Sequence, residues 1–322
     1  MLTVKTLEEK LYQEQALEKK DALSLCSSDL EELCAAANRI RKHFCGNRFD
    51  ICTIINAKSG RCSENCKYCA QSAHYHTDIE EYPLLDTDTI VKQAKYNSER
   101  GVLRFSVVTS GRSLSSEEIN SLCESIRQIK ESCPIEVCVS LGLLSESQYK
   151  CLLAAGAIRV HNNLEASERF FPNICTTHSI KDKVSAIVDA QSAGMQVCSG
   201  GIIGLGETME DRIDLALTLR TLNIRSVPVN VLNPIPGTPL EHQPPLSYDE
   251  IRRTIAIFRF LLPKAAIRLA GGRGLMPDKG KACFLSGANA AISGDMLTTS
   301  GITIENDRNI LSECGFIPAL LD

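Results

Sequence analysis

Ile51-Cys52-Thr53-Ile54-Ile55-Asn56-Ala57-Lys58-Ser59-Gly60-Arg61-Cys62-Ser63-Glu64-Asn65-Cys66-Lys67-Tyr68-Cys69 joins an apolar, β-branched run to a polar loop with three thiols. The run Ile51–Asn56 reads as a buried strand. It is the first of eight such runs, the others being Leu103–Thr109, Ile135–Ser140, Ala157–Leu164, Gln196–Ile203, Ser226–Leu232, Ala266–Ala270 and Ser286–Ser293. Amphipathic stretches lie between them: Asp86–Glu99, Ser116–Ser132, Ser145–Ala155, Ile180–Gly194, Met209–Leu222 and Tyr248–Leu262. This alternation predicts an α/β fold, a (β/α)8 TIM-type barrel. It also suits a doubly wound open sheet, the structural competitor. Residues 1–50 lack the alternation and read as helices, one opening at Ser27-Ser28-Asp29 and running to about Phe44. They are taken as an N-terminal helical extension packed on the barrel, which occupies residues 51–322 with its C-terminal segment.

The bulk properties narrow the function classes. The chain has 322 residues, is 43% apolar and carries a net charge of −4. No run of Lys or Arg favours a nucleic-acid partner. No apolar signal region follows Met1, and no run of 18 apolar residues occurs, so a cytoplasmic, non-membrane protein is expected. The fifteen cysteines do not suit a secreted disulfide scaffold, whereas free thiols in a reducing compartment can bind metal. Cys26, Cys34, Cys123 and Cys151 fall in helical patterns and read as inert packing residues.

In a barrel of this type the chemistry sits at the carboxyl ends of the strands. The cysteine loop follows the first strand directly. Soft thiolates select an iron–sulfur cluster or zinc. Zinc sites use paired CxxC knuckles, whereas Cys62, Cys66 and Cys69 are spaced CxxxCxxC. A zinc reading would need His74 or His76 as fourth ligand. Three thiolates on a 4Fe–4S cluster leave one iron open to chelate S-adenosylmethionine. The spacing, with aromatic Tyr68 before the last cysteine, is similar to the signature of the radical S-adenosylmethionine superfamily.

Further segments narrow the resemblance. Cys62 to Ser72, His161-Asn162-Asn163-Leu164-Glu165, Val197-Cys198-Ser199-Gly200-Gly201-Ile202-Ile203-Gly204-Leu205-Gly206-Glu207-Thr208, Pro228-Val229-Asn230, Gly237-Thr238-Pro239-Leu240 and Ile267-Arg268-Leu269 resemble the biotin synthase family, over roughly residues 35–320. The resemblance implies radical-mediated sulfur insertion into dethiobiotin, a sulfurtransferase reaction. It implies two clusters: 4Fe–4S on Cys62, Cys66 and Cys69, and 2Fe–2S deeper in the barrel, which supplies the sulfur. Carried over, the 2Fe–2S positions are Ser106, Cys138, Cys198 and Arg268. Tyr68, Glu165, Lys183, Gly204 and Glu207 fall around S-adenosylmethionine. Asn163 and Asn230 would orient the ureido ring, with Arg268 at the reacting centre. A flavodoxin or ferredoxin-type reductant and a homodimer are also implied.

The chain departs from the family at Ser106, where the pattern has cysteine. A serine oxygen is a harder ligand than thiolate and needs deprotonation to bind iron strongly. Ligation by alkoxide, a different auxiliary cluster and no second cluster all stay open. Smaller departures are His161-Asn162 and Lys183. The rivals on this scaffold are a 3-methylornithine synthase, a hydrogenase-maturation protein and a lipoyl-synthase type. The joint presence of Cys138, Cys198 and Arg268 favours biotin synthase over them. A lone strand-end asparagine otherwise reads as a backbone cap, and Arg268 could instead pair with a structural carboxylate.

Overall fold

A computed structural model describes residues 3–294, 296–299 and 301–321. Three helices come first: α1 Val4–Tyr12, α2 Lys19–Leu25 and α3 Leu30–Cys45. Asp29 caps α3, its side chain accepting from the Glu32 amide at 2.9 Å. Strands and helices then alternate: β1 Arg48–Lys58, α4 Thr87–Glu99, β2 Arg104–Thr109, α5 Ser116–Ser132, β3 Glu136–Ser140, α6 Glu146–Ala155, β4 Ala157–His161 and α7 Ile180–Ser192. The series continues with β5 Gln196–Cys198, β6 Gly201–Ile203, α8 Met209–Thr221, β7 Ser226–Val231, α9 Tyr248–Leu261 and β8 Ala266–Leu269. It ends with α10 Lys281–Leu285, β9 Ala290–Ser293, α11 Ile304–Glu313 and β10 Ile317–Pro318.

All ladders between these strands are parallel. The order runs β1-β2-β3-β4-β5-β7-β8-β9, and β1 pairs with β9 to close the ring. Closure excludes the open sheet and gives the eight-position TIM-type barrel. β10 adds to the start of β1, pairing Arg48 with Ile317. Of the helical extension, α3 packs on α9. Arg252 of α9 meets Glu31 at 2.8 Å, and Arg253 reaches the Ser28 carbonyl at 2.7 Å.

The local reasons are visible in β2. All six residues are buried, but the alternate residues differ in role. Phe105 and Val107 face the helices, each contributing about 2 kcal/mol by burial. Arg104, Ser106 and Val108 line the barrel interior. Capping boxes start the flanking helices: Ser115 with Glu118 opens α5, and Thr208 with Asp211 opens α8.

Three sequence expectations need correction. The run Gln196–Ile203 is two strands, because Ser199-Gly200 breaks the ladder. Glu165 inserts there: its amide donates to the Gly200 carbonyl at 3.1 Å, and its carbonyl accepts from Ile202 at 2.9 Å. The run from Ser286 is a strand only from Ala290, since α10 and a left-handed turn at Gly287 precede it. Cys151 lies exposed on α6 rather than packed, while Cys34 and Cys123 are buried and Cys26 half-buried.

Candidate active site

The barrel encloses a cavity of about 400 Å³. Cys62, Tyr68 and Cys69 line it, with Asn163, Glu165 and Lys183 on the next elements round. Ser106, Cys138, Cys198, Asn230 and Arg268 line it as well. The Cα register sets the deeper group: Ile54 pairs with Ser106, Ser106 with Cys138, and His161 with Cys198.

The cysteine loop is held by its own backbone. The Cys69 amide donates to the Cys66 carbonyl at 3.0 Å, and Ala73 donates to the Cys62 carbonyl at 2.8 Å. Ser110 donates to the Gly60 carbonyl at 2.7 Å, tying the loop to the end of β2. Arg61 takes a left-handed φ of 52° at the loop entrance. Cys66 does not line the cavity; its sulfur lies 3.7 Å from that of Cys175. His74 and His76 are exposed, and the His74 ring sits 3.0 Å from the Ser63 carbonyl. Neither joins a metal-ligating group among the described residues.

The deep end has an unusual charge balance. Asp50 is fully buried and faces three guanidinium groups: Arg104 at 2.9 Å, Arg268 at 3.2 Å and Arg159 at 4.0 Å. Burial pushes its carboxyl up, but Arg268 and Arg104 outweigh that and hold it below the usual range. Leu321 closes this end, its amide donating to Asp50 at 3.1 Å. Arg268 therefore does pair with a structural carboxylate, and it lines the cavity as well. Three guanidinium groups thus converge on Asp50 at the deep end of the cavity.

Cys52, not singled out in the sequence, also lines the cavity. Burial and the neighbouring Cys138 push its thiol up. Arg268 acts in the opposite direction. Burial also opposes ionisation of Cys198, but the His161 ring and the charges of Arg268 and Arg159 hold its thiol down at about 6.

Both candidate asparagines are caps, as a lone strand-end asparagine would be. Asn163 accepts from the Gly200 amide at 3.0 Å, and Asn230 accepts from the Gly271 amide at 2.9 Å. Asn163 donates to Glu165 at 3.3 Å, and Asn230 donates to the Gly201 carbonyl at 3.2 Å. Each amide keeps one N–H and one acceptor site beyond these bonds. Glu165 takes a left-handed φ of 69°, a strained conformation at the cavity wall. Lys183 donates to Asn162 at 3.3 Å.

Gly204 and Glu207 do not line the cavity. Both Glu207 oxygens are used: they accept from the Gly204 amide at 2.8 Å and the Leu205 amide at 2.7 Å. Arg212 closes the group at 2.6 Å. Glu207 thus staples its own loop.

Gly200 is required by space. A Cβ there would stand 1.8 Å from the Pro228 carbonyl oxygen. Gly200→Ala is expected to lower stability by about 3 kcal/mol, read as a shifted denaturation midpoint. A midpoint equal to wild type would contradict the close approach.

Comparison with known proteins agrees with this architecture. Residues 57–219 match the Radical SAM superfamily model, and residues 228–317 match the Biotin and Thiamin Synthesis associated domain. A biotin synthase from Brachyspira hyodysenteriae is 55% identical over 315 residues, covering 98% of this chain and 95% of that protein. One from Clostridium botulinum strain Alaska E43 is 55% identical over 316 residues, covering 98% and 99%. Among solved structures, methylornithine synthase superposes with a TM-score of 0.86 at 22% identity, covering 98% of each chain. A maturase of the [FeFe]-hydrogenase gives 0.84 at 18%, covering 98% of this chain and 75% of that one. Those two share the fold, whereas the sequence identity runs with the biotin synthases across nearly the whole length: the chain belongs to the biotin synthase family of radical S-adenosylmethionine enzymes.

Proposed function

We propose that the cavity is divided between two iron–sulfur centres, with dethiobiotin held between them. The chain is a sulfur-inserting enzyme of the biotin synthase family, with 4Fe–4S, 2Fe–2S and S-adenosylmethionine as cofactors and dethiobiotin as substrate. One observation carries the division of the cavity. A single closed barrel has thiols of the cysteine loop at its mouth and Cys52, Cys138, Cys198 and Arg268 deeper on its strands.

The residues present fit both groups by donor chemistry. Cys62, Cys66 and Cys69 are free thiols on one short loop, suited to hold the 4Fe–4S cluster. At the deep end, soft sulfur donors sit beside the Arg268 guanidinium, a donor set suited to an iron–sulfur cluster. Ser106 is buried there but offers only a hydroxyl. Cys52 is the thiol that replaces the missing one, so the set is Cys52, Cys138, Cys198 and Arg268, with Ser106 a neighbour. When bound, the clusters and S-adenosylmethionine supply the hydrogen-abstracting chemistry and the sulfur atom.

The chain's own residues bind, orient and exclude water. Asn163 and Asn230 are fixed by their backbone caps, which points the remaining N–H and acceptor sites at a ureido ring. Tyr68, Glu165 and Lys183 line the half nearest the loop and suit the polar parts of S-adenosylmethionine. Ile54, Val108, Ile202 and Ile292 supply apolar wall, which limits water at the reacting carbons. Fifteen cysteines, all free, suit a reducing cytoplasm. Among the described residues no helix is long and apolar enough to cross a membrane. The flavodoxin or ferredoxin-type reductant and the homodimer belong to this reading on the strength of the family identity.

The test is anaerobic turnover of reconstituted chain with dithionite, S-adenosylmethionine and dethiobiotin, read by mass spectrometry. Biotin with 5′-deoxyadenosine is expected. Deoxyadenosine without biotin would overturn the substrate assignment. Asn163→Ala and Asn230→Ala are each expected to weaken dethiobiotin binding about tenfold, the value of one lost hydrogen bond. Calorimetric titration giving wild-type affinity for both would remove them from the substrate site.

A further inference from the structure

Two spacers of the cysteine loop, Glu64 and Asn65, have no part in the chemistry proposed above, yet both side chains are fully engaged. Glu64 is only 7% exposed, and a carboxylate buried to that extent is costly without partners. Its Oε2 atom accepts from the Thr177 hydroxyl at 2.8 Å, the Arg112 guanidinium at 3.3 Å and the His178 ring at 2.5 Å. A carboxylate can only accept, so Nδ1 of His178 carries the ring proton. The Asn65 side chain accepts from the amides of Thr176 at 2.9 Å and Thr177 at 3.3 Å, and donates to the Thr176 hydroxyl at 2.7 Å. Main-chain bonds complete the joint. The Asn65 amide donates to the Thr177 hydroxyl at 3.1 Å, and the Lys67 amide donates to the Ile174 carbonyl at 2.9 Å.

The partners come from two other parts of the chain. Arg112 lies between β2 and α5 and also donates to the Thr177 carbonyl at 2.9 Å. Residues 174–178 lie just before α7, with Thr177 112 positions after Asn65. A loop that merely followed a metal would need only polar, flexible spacers. Here positions 64, 65 and 67 are fixed to one distant segment. None of these bonds uses a thiol, so the three loop cysteines stay free for the cluster. The segment runs directly into α7, whose fourth residue is Lys183, on the wall of the cavity. One joint therefore sets the thiol loop against the Lys183 side of the space assigned to S-adenosylmethionine.

We propose that Glu64, Asn65 and His178 are positioning residues that clamp the cysteine loop to the start of α7. The clamp holds the three thiols in the shape that accepts the 4Fe–4S cluster, and it fixes that cluster relative to Lys183. Ordering the loop beforehand removes a cost otherwise met when the cluster binds. The clamp is a property of the chain alone, whereas its consequences for the cluster rest on the reading of Cys62, Cys66 and Cys69 given above.

The experiment compares full-length wild type with His178→Ala, His178→Asn and Asn65→Ala. Asparagine places its amide nitrogen where Nδ1 of the ring stands, so His178→Asn keeps the donor to Glu64. Each chain is reconstituted anaerobically and reduced, and the decay of its 4Fe–4S paramagnetic resonance signal is followed in the presence of a chelator. Decay about tenfold faster than wild type is expected for His178→Ala and Asn65→Ala, and within about twofold of wild type for His178→Asn. Equal decay in both alanine variants overturns the clamp, as does decay of His178→Asn as fast as that of His178→Ala. Equilibrium dialysis should show S-adenosylmethionine bound about tenfold more weakly by loaded His178→Ala. If decay quickens but this affinity holds, the clamp stands and the link to Lys183 falls. In the iron-free chains, amide exchange at residues 62–69 should be about tenfold faster in His178→Ala, with the global denaturation midpoint unchanged. A wild type that forms no 4Fe–4S signal overturns the cluster reading, and the exchange rates then decide the clamp by themselves: equal rates overturn it.

Discussion

Cys52→Ser is expected to abolish biotin formation, by about 100-fold or more, while S-adenosylmethionine is still cleaved. The argument is one of donor softness and position. The auxiliary pocket needs a third thiolate, and residue 106 offers only an alcohol, which binds iron strongly only when deprotonated. Cys52 sits on the strand beside Ser106, two residues before the Ile54 that pairs with it. Its thiol is buried among Cys138, Arg268, Asp50 and Cys198, so a serine there removes the sulfur without changing the fold. Ser106→Ala should keep the second cluster. Iron and sulfide content, with biotin and deoxyadenosine counted separately, check both variants. If Ser106→Ala loses the cluster and Cys52→Ser keeps it, the ligand is the serine alkoxide.

Asp50→Asn should lower stability by about 3–5 kcal/mol, the loss expected when one partner of a buried ion network is removed. Asp50 is the anion on which Arg104, Arg159 and Arg268 converge, and it also accepts from the Leu321 amide. Asparagine keeps the shape but leaves three buried cations without their shared anion. Denaturant titration of the iron-free chain, at constant slope, measures the effect. A loss below about 1 kcal/mol would mean that other groups neutralise the arginines.

The sequence is legible where local chemistry decides structure and obscure where distant parts of the chain meet. The α5 helix was legible to the residue, because Ser115 and Glu118 form a capping box and the apolar face is regular. The barrel was legible from repeated strand–helix alternation, and the cysteine loop from its spacing. The split of Gln196–Ile203 was not, because the residue that breaks it is Glu165, inserted from another strand end. Glu207 looked like a cofactor residue within a motif, yet its oxygens are spent on the amides two and three residues before it. Cys52 was hidden inside an apolar run. Alternation along β1 would have placed it on one face with Ile54 and Asn56, the latter at the mouth of the barrel.

The way the ring closes also sets an order of events. β1 borders β2, β9 and β10, so its strand neighbours come from residues 104–109 and from residues 290–318. At about 5–20 residues per second, a ribosome needs roughly 10–45 seconds to travel from the first of these to the last. During that time β1 is an edge strand with one partner, and the cysteine loop hangs from its open end. Contacts this distant in sequence are slow to form. The radical half of the enzyme is encoded early and assembled last, so its thiols meet solvent before they meet the barrel.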